Sequence, residues 1–390
     1  MNPSIQNLCD FLDASPSVYH AAANVAAMLE ESGYTRLSEG GDWAIAAGGK
    51  YYLVRGGSAV LAFRVPDAAP RGFLLSASHC DRPCFKIKEN PELPGTYTRI
   101  AVERYGGMIL STWLDRPLTV AGRVLVETEA GVESRLIHLD RDLLLIPSVA
   151  IHMNRQVNDG YKWNPAVDLL PLFGGKEAAG KFSAALDDLE CAWGCTRGFL
   201  AAGDTDHIPV LCVFDSEEVG SNSVQGAAST FLADALSRIC GSLGLCEKKL
   251  LSQSFLVSAD NAHAVHPNHP EYADPGNAPV MGGGVVLKFN ASQRYTTDGV
   301  SAAIFRKVCE KAGVKVQTFF NRADLMGGST LGHISLTQVS VPTADIGLPQ
   351  LAMHSCYETA ATADALALEK TMTVFYGTRL LFDGDKIEMN

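Results

Sequence analysis

Three apolar segments of the sequence end in residues that can do chemistry. The segment "GFLLSAS" leads into His79 and Asp81, and "SFLVSA" leads into Asp260. The segment "IPVLCVFDS" leads into two adjacent glutamates, Glu217 and Glu218. Imidazole and carboxylate groups bind metal ions and transfer protons. Ligands of open α/β sheets bind just beyond the carboxyl ends of the strands, so this pattern predicts a reactive site at one edge of a sheet.

Two further residues extend the set. Asp187 lies in "ALDDLE", at the start of a predicted helix, and His354 lies in "LAMHSCYE". The set then holds two histidines and three or four carboxylates, which is the ligand inventory for two zinc-like ions. In two-metal hydrolases a carboxylate can bridge ions that lie about 3.5–4 Å apart. Zinc is the predicted metal, and cobalt and manganese accept the same ligand set.

The adjacent glutamates predict two roles for two carboxylates. Neighbouring residues at a strand end point in different directions, so one of Glu217 and Glu218 can ligate a metal while the other faces the attacking water. A ligand carboxylate is a poor proton acceptor because its lone pairs are committed to the ion. The free carboxylate can therefore act as the general base.

Each of these residues has an ordinary structural interpretation when it is taken alone. A lone histidine is usually a satisfied core residue, and a lone aspartate before a helix is usually a cap. Adjacent glutamates usually form a solvated surface. The metal site is predicted from the combination of residues rather than from any one of them.

The elements that must position these residues alternate between strand and helix. The apolar runs "SAVLAFRV", "GFLLSASHCD", "HIPVLCVFD" and "SQSFLVSAD" are typical strands, and "STFLADALSRICGSLG" and "SAAIFRKVCEKAG" have helical periodicity. We predict a helix over residues 16–32 with Ser15 as its cap, and a last helix over "ADALALEKTMTVFYGTRLLFD". The pattern predicts an α/β fold with a mostly parallel mixed sheet that is covered by helices on both faces.

Residues 91–170 differ from their flanks because they are rich in β-branched and aromatic residues and lack long helical patterns. A chain of 390 residues is also too long for one typical core. We therefore predict a catalytic domain over 1–92 and 176–390, interrupted by a β-rich domain over 93–175.

Composition excludes some classes of partner. The net charge of -11 argues against a nucleic-acid or anionic-membrane surface. The start of the sequence lacks the features of a targeting segment, and no apolar run is long enough to span a membrane. The ten cysteines are scattered, which predicts free thiols in a reducing cytosol and a cytoplasmic location.

The motifs together resemble the aspartyl aminopeptidase family of dizinc exopeptidases along nearly the whole chain. The resemblance is carried by "SHCDRPCFKIK", "YGGMILSTWLDRPLTVAGRV", "IPSVAIHMNR", "LDDL", "DSEEVGS", "SADNAHAVHPNHP", "LKFNASQRYTTD" and "LAMHS". It implies a peptidase domain interrupted by a β-rich dimerisation domain, two divalent metal ions per subunit and peptide substrates with acidic N-termini.

The resemblance also implies a role for each candidate residue. One metal would be held by His79, Asp187 and Asp260, and the other by Asp187, Glu218 and His354. Asp187 would thus bridge the two ions, Glu217 would be the general base, and Asp81 would orient the imidazole of His79. The implied substrate contacts are His152, His263, Lys288 and Tyr295.

For assembly, the resemblance implies a homo-oligomer, a dodecamer built from dimers, in which His152 reaches the active site of a neighbouring subunit. Without the resemblance, His152 would be taken for a core histidine, Lys288 for an outward strand lysine and Tyr295 for a packing residue.

The chain departs from the family pattern beside the site. Cys80 and Arg82 flank Asp81 where the family usually has small hydroxyl residues. Asp188 replaces an asparagine, and Tyr357 replaces an arginine. Because a cation is gained at Arg82 and one is lost at Tyr357, these departures bear on the substrate preference.

Three functions are compatible with the sequence. The first is an aminopeptidase that releases N-terminal Asp or Glu. The second is a dizinc aminopeptidase or deacylase of broader or neutral specificity. The third is a non-catalytic assembly protein on the same fold, which would be expected to lose metal ligands or Glu217, and the sequence keeps them.

Overall fold

The structure, a computed structural model, describes residues 2–93, 97–129, 131–174, 189–325, 327–383 and 386–389. Within these ranges the helices are numbered α1–α9 in chain order: Pro3–Asp13, Val18–Glu31, Pro165–Asp168, Leu189–Ala201, Phe231–Leu243, Glu247–Leu251, Gly299–Ala312, Leu331–Gln338 and Thr362–Gly377. The strands of the same ranges are numbered β1–β19: Thr35–Arg36, Lys50–Arg55, Ala59–Arg64, Phe73–His79, Cys84–Leu93, Thr98–Tyr105, Pro117–Thr128, Gly131–Leu145, Leu172–Gly174, Ile208–Phe214, Phe255–Ala259, Ala262–His263, Val285–Phe289, Val316–Phe320, Thr343–Gly347, Pro349–Leu351, Thr359–Ala360, Leu380–Asp383 and Lys386–Met389.

The larger sheet has nine strands in the order β1-β2-β3-β10-β4-β11-β15-β13-β14. Its centre is parallel, because β10 pairs in parallel with β4, β4 with β11, and β11 with β15. The pairs β2–β3, β3–β10 and β13–β15 are antiparallel. The predicted mostly parallel mixed sheet is therefore confirmed.

Helices cover both faces of this sheet. Residues of α1, α2, α4, α7 and α9 pack in one core cluster, and residues of α5, α6 and α8 pack in a second cluster on the other face. Every residue of β4, β10 and β11 is buried. Double coverage explains why these three strands are apolar or carry small side chains on both faces rather than alternating between apolar and charged residues.

A second sheet has five strands in the order β5-β6-β9-β8-β7. It has its own small core, which includes Phe85, Ile100, Trp113 and Leu144. The sheet begins at Cys84, ahead of the predicted boundary at 93, and the division of the chain into domains stays a prediction.

Two local expectations are wrong. The N-cap of α2 is Ser17 rather than Ser15, which is fully buried, and Ser17 forms no side-chain cap hydrogen bond. The last helix ends at Gly377, because "LLFD" pairs as β18 with β19. Strand pairing with the following segment overrides the helical pattern there.

The ten cysteines are free, as predicted. Across the described ranges, the helices are too short or too polar to cross a membrane.

Candidate metal centre

The order of the central strands brings three of the predicted strand ends together. His79 is the last residue of β4, and it lies opposite Phe214, the last residue of β10. On the other side of β4 lies β11, and Asp260 follows its last residue. Because β10, β4 and β11 run parallel, their carboxyl ends meet at one edge of the sheet.

After β10 the chain makes a sharp turn that presents the two glutamates. Ser216 has a left-handed backbone with φ 66°, and a single 3₁₀ turn spans Glu217–Val219. A non-glycine residue with positive φ is uncommon and is held by its surroundings. The turn is held by Asp81, whose Oδ1 accepts from the backbone N–H of Glu217 at 3.0 Å and whose Oδ2 accepts from that of Glu218 at 3.2 Å.

Asp81 also contacts His79. Its Oδ1 lies 3.3 Å from Nδ1 of His79, and its Oδ2 accepts from the Tyr105 hydroxyl at 2.7 Å. A proton on Nδ1 of His79 leaves the Nε2 lone pair available to a metal. Burial raises the pKa of the Asp81 carboxyl, but the hydrogen bonds and charge of His79, together with Tyr105 and the Glu217 N–H, outweigh it and hold that pKa below its usual value.

The described metal-ligand candidates form two pairs. Nε2 of His79 lies 3.9 Å from Oδ1 of Asp260, and Nε2 of His354 lies 3.5 Å from Oε2 of Glu218. Asp187, which the resemblance assigns to both ions, lies outside the described residues. Among the residues that are described, no three His, Cys, Asp or Glu side chains form a group that could hold a metal ion. Each pair thus offers one imidazole nitrogen and one carboxylate, a donor set that fits a zinc-like ion with a third ligand.

His354 is positioned by a loop rather than by a strand. Its backbone has φ 66°, and its N–H donates to Oε1 of Glu358 at 2.6 Å. Gly106, with φ 78°, passes close to Glu218, and a Cβ added to Gly106 would lie 3.1 Å from the Glu218 Cβ. A glycine at 106 therefore serves both the positive φ and the close approach to the glutamate.

A cavity of about 180 Å³ joins these residues to the predicted substrate contacts. Its lining includes seven of the eleven predicted site residues: His79, Glu217, Asp260, His263, Lys288, Tyr295 and His354. Asp81 and Glu218 are buried beside this cavity through the contacts given above.

Lys288 is buried, with 1% of its surface exposed, in β13. Its Nζ donates to the backbone carbonyls of Asp260 at 2.8 Å and Asn261 at 3.3 Å, and lies 5.2 Å from the centre of the Tyr295 ring. Burial lowers the pKa of Lys288, but Asp260 and Asp345 outweigh it and raise the pKa above its usual value. The ammonium group is therefore charged. It lies inside the cavity wall, whereas a strand lysine is ordinarily expected to face solvent.

The remaining predicted substrate contacts differ in solvent exposure and in their position relative to the cavity. Tyr295 is 4% exposed, and His263 is exposed in β12 with its ring 6.1 Å from that of Phe319. His152 lies in an exposed turn after β8, and within the described ranges it is not part of the cavity lining. The structure of one chain thus leaves His152 apart from the other predicted residues.

Two departures from the family pattern also lie away from this cavity. Arg82 is buried and lines a different cavity, between α2 and the second sheet. Tyr357 is 69% exposed, and its ring lies 5.4 Å from the guanidinium of Arg116. As far as the described residues go, neither side chain is part of the lining shared by His79 and Lys288.

Sequence reasoning missed Tyr105 and Glu358. Tyr105 donates to Asp81, and Glu358 accepts from the backbone of His354. No spacing signal connects Tyr105 to Asp81, because the contact joins the end of β6 to the connection between β4 and β5. Glu358 carried only a weak signal, an acid close in sequence to a candidate ligand.

Comparisons with known proteins agree with this geometry. The family model described as "Aminopeptidase I zinc metalloprotease (M18)" matches residues 11–181 and 173–376. The chain is 38% identical, over 423 residues, to "Probable M18 family aminopeptidase 2" of Clostridium acetobutylicum, covering 95% of this chain and 98% of that protein.

Solved structures of the family share the fold. The aminopeptidase of the "Ape4 and Nbr1 complex" superposes with a TM-score of 0.91 at 31% identity, over 95% of this chain and 85% of that one. The S. cerevisiae mApe1 dodecamer superposes with a TM-score of 0.80 at 25% identity, over 96% of each chain. The chain belongs to the M18 peptidase family, the aspartyl aminopeptidase family of zinc metalloproteases.

Proposed function

We propose that this zinc aminopeptidase releases N-terminal Asp or Glu from peptides at a two-metal centre, with Glu217 as the general base. The observation that carries the proposal is the shared cavity. Its wall places Glu217 beside His79, Asp260 and His354, and the buried cation Lys288 lines the same space.

In this proposal His79 and Asp260 would help to hold one ion and Glu218 and His354 the other, and the family resemblance would make Asp187 a ligand of both. When bound, the ions polarise the scissile carbonyl and make water a stronger nucleophile at neutral pH. Zinc fits the family description, and cobalt and manganese fit the same ligands.

Glu217 is assigned as the base because the neighbouring Glu218 is assigned as a metal ligand. Glu218 lies against His354, whereas Glu217 lines the cavity. The Glu217 carboxylate accepts a proton from the attacking water and passes it to the nitrogen of the leaving amine. Asp81 acts through others: it fixes the Glu217–Glu218 turn and orients His79.

The size of the cavity favours removal of one residue from a chain end. A volume of about 180 Å³ is smaller than the ~300–1,000 Å³ typical of drug-sized ligands, and it suits a single residue. An acidic side chain in this space needs a cation or strong donors, because an unpaired buried carboxylate costs several kcal/mol, roughly. Lys288 supplies the cation, and Tyr295 and His263 supply further polar groups.

The contacts of Lys288 also favour an alternative, a broader or neutral substrate specificity. Two backbone carbonyls already accept from its Nζ, one of them the carbonyl of the candidate ligand Asp260. If Lys288 serves only to position the end of β11, the enzyme is a dizinc aminopeptidase of broader or neutral specificity. An ammonium group carries three donors, so one remains for a substrate carboxylate, which favours the acidic preference.

We further propose a homo-oligomer in which His152 completes a neighbouring active site. Two observations support this: His152 lies in an exposed turn apart from its own cavity, and a structural neighbour is named as a dodecamer. Its exposed position is suited to contact with another subunit.

A panel of aminoacyl chromogenic substrates tests the function. The protein is stripped of metal and reloaded with zinc, cobalt or manganese, and each form is assayed on Asp-, Glu-, Leu- and Ala-p-nitroanilide. The proposal expects activity only in loaded forms and the highest kcat/KM on Asp or Glu. Preference for Leu or Ala would establish the broader specificity, and inactivity on every substrate with every metal would favour a non-catalytic role.

A further inference from the structure

A second cavity, of about 420 Å³, lies between the start of α2 and the second sheet. Residues 16–19, which precede and begin α2, line one side, and residues of β5, β7 and β8 line the other. Arg82 and Asp81 form the wall nearest to the candidate metal centre. Its volume falls within the ~300–1,000 Å³ that small-molecule sites usually have.

Two buried donors in this wall lack acceptors. Arg82 is 5% exposed and Trp113 is 1% exposed. Neither Nη1 of Arg82 nor Nε1 of Trp113 has a hydrogen-bond partner within the part of the chain that the structure describes. Buried polar groups are normally hydrogen-bonded, so these two donors are suited to an acceptor that the described residues do not supply, although the charges of Glu358 and Asp81 act on Arg82. Burial lowers the pKa of Arg82 to about 10, so the guanidinium still carries its charge at neutral pH.

Other groups around the cavity add positive potential. The cavity faces the start of α2, where the N-cap Ser17 makes no side-chain cap hydrogen bond and its hydroxyl lies 2.8 Å from Nδ1 of His20, and a helix start carries partial positive charge. Lys86 and Arg123 also line the cavity. Nζ of Lys86 lies 3.5 Å from the centre of the Tyr105 ring, and Arg123 donates to the Gly56 carbonyl at 2.7 Å.

The acid in the wall is already satisfied. Both oxygens of Asp81 accept hydrogen bonds, from the backbone of Glu217 and Glu218 and from Tyr105. Asp81 therefore has little capacity left for Arg82. Much of the remaining lining is apolar, including Val18, Phe85, Ile87, Val120, Val124 and Ile137.

From this geometry we infer that the cavity is a second ligand site, which binds a small amphipathic carboxylate. The carboxylate pairs with the guanidinium of Arg82, which matches it in a planar, bidentate way, and the apolar body packs against the second sheet. Arg82 replaces the small hydroxyl residue that the family pattern leads one to expect, so the site is a property of this chain rather than of the catalytic centre.

Titration calorimetry of the metal-loaded, assembled protein tests the inference, with 3-phenylpropionate as the probe. We expect saturable binding of one molecule per chain. Its neutral amide, 3-phenylpropanamide, should bind at least ~10-fold more weakly, because a charged hydrogen bond is lost. Inorganic phosphate should also bind at least ~10-fold more weakly, because it has no apolar body.

Three variants locate the binding. Arg82→Ser, which installs the small residue of the family pattern, should weaken binding of 3-phenylpropionate at least ~10-fold. Val124→Trp, which keeps Arg82 but fills the cavity, should abolish it. Arg71→Ser is the matched control: Arg71 precedes the amino end of β4, is 55% exposed at its side chain and pairs with Asp206, so binding should be unchanged.

Four results would overturn the inference: absence of saturable binding, equal affinity of the amide, equal affinity of phosphate, or equal binding to wild type and Arg82→Ser. Metal content and turnover of Arg82→Ser are measured in parallel. Loss of probe binding with both retained would separate the second site from the catalytic centre, whereas probe binding that follows metal content across the variants would place the probe at the metals and refute the second site.

Discussion

Asp81→Asn is the most informative single change at the candidate metal centre. The Asp81 carboxylate accepts from the backbone N–H groups of Glu217 and Glu218 and from Tyr105, and it lies 3.3 Å from Nδ1 of His79. Asparagine has nearly the same shape but only one acceptor oxygen. Its NH₂ group would face a donor that the carboxylate had satisfied, and Nδ1 of His79 would lose its charged neighbour while it keeps the backbone carbonyl of residue 81, at 3.1 Å.

The magnitude follows from these contacts. A hydrogen bond to a charged group contributes about 1.5–3 kcal/mol, and the variant loses at least one such bond in a buried place. We therefore expect a fall in the free energy of unfolding on the order of 2–4 kcal/mol. The loss of imidazole orientation should weaken metal binding by ~10–100-fold.

The lowered pKa of Asp81 supports the expected loss of stability in Asp81→Asn. The pKa of Asp81 is held below its usual value in the fold, so its charged form stabilises the native state at neutral pH. This stability should be present above the unfolded pKa and should be lost as pH falls through the lowered, folded pKa. The Asp81→Asn variant lacks it at every pH.

Asp215→Asn is the matched control. Burial, followed by the charge of Asp81, raises the pKa of Asp215, which accepts from Ser58 and Ser216 rather than from the glutamates or His79. Neutralising Asp215 should therefore cost little. The assay is denaturant unfolding together with metal counting by mass spectrometry. Equal losses in the two variants, or full metal content in Asp81→Asn, would refute the positioning role of Asp81.

The remaining predictions concern other parts of the site. Glu217→Gln should keep the metals but lower kcat by at least ~10²-fold, whereas Glu218→Gln should lose one ion; metal counting with the roles reversed would contradict the assignment. Lys288→Met should lower kcat/KM on Asp-p-nitroanilide by ~10–100-fold and affect the Leu substrate far less; equal losses would favour a positioning lysine. Mixing His152→Ala with Glu217→Gln subunits under exchange conditions should restore activity, and it will not if His152 acts within its own chain. Gly106→Ala should displace Glu218 and reduce the metal count, because its Cβ would lie 3.1 Å from the Glu218 Cβ; an unchanged count would show that the loop adapts.

Strand-end residues were predictable because the rule that places them is local. A buried apolar run ends where its first polar residue emerges, and parallel strands bring such ends to one edge. This reasoning located His79, Glu217 and Asp260 without any structure. It gave no strand-end position for His354, which joined the candidate set by its residue type and lies on a loop with φ 66°.

Lys288 and Arg82 show where sequence reasoning reached its limit. The ordinary expectation for a strand lysine is exposure, yet Lys288 is buried because the carbonyls at the end of β11 accept from it. Sequence proximity to Asp81 suggested that Arg82 would act near the substrate, yet the chain turns Arg82 towards α2 and the second sheet. In both cases the side chain's environment is made by residues far away in sequence.

The sequence by itself determined the fold class, the family and the residue types available for metal binding and proton transfer, because periodicity and motifs are properties of neighbouring residues. Only the tertiary structure decided which of those residues share a cavity, which carboxylate holds the Glu217–Glu218 turn and where each buried cation lies. Those outcomes depend on strand order and on contacts between residues that are distant in sequence, such as that of Tyr105 in β6 with Asp81 in the connection after β4. Free energies of burial and hydrogen bonding are set by such distant partners rather than by local sequence.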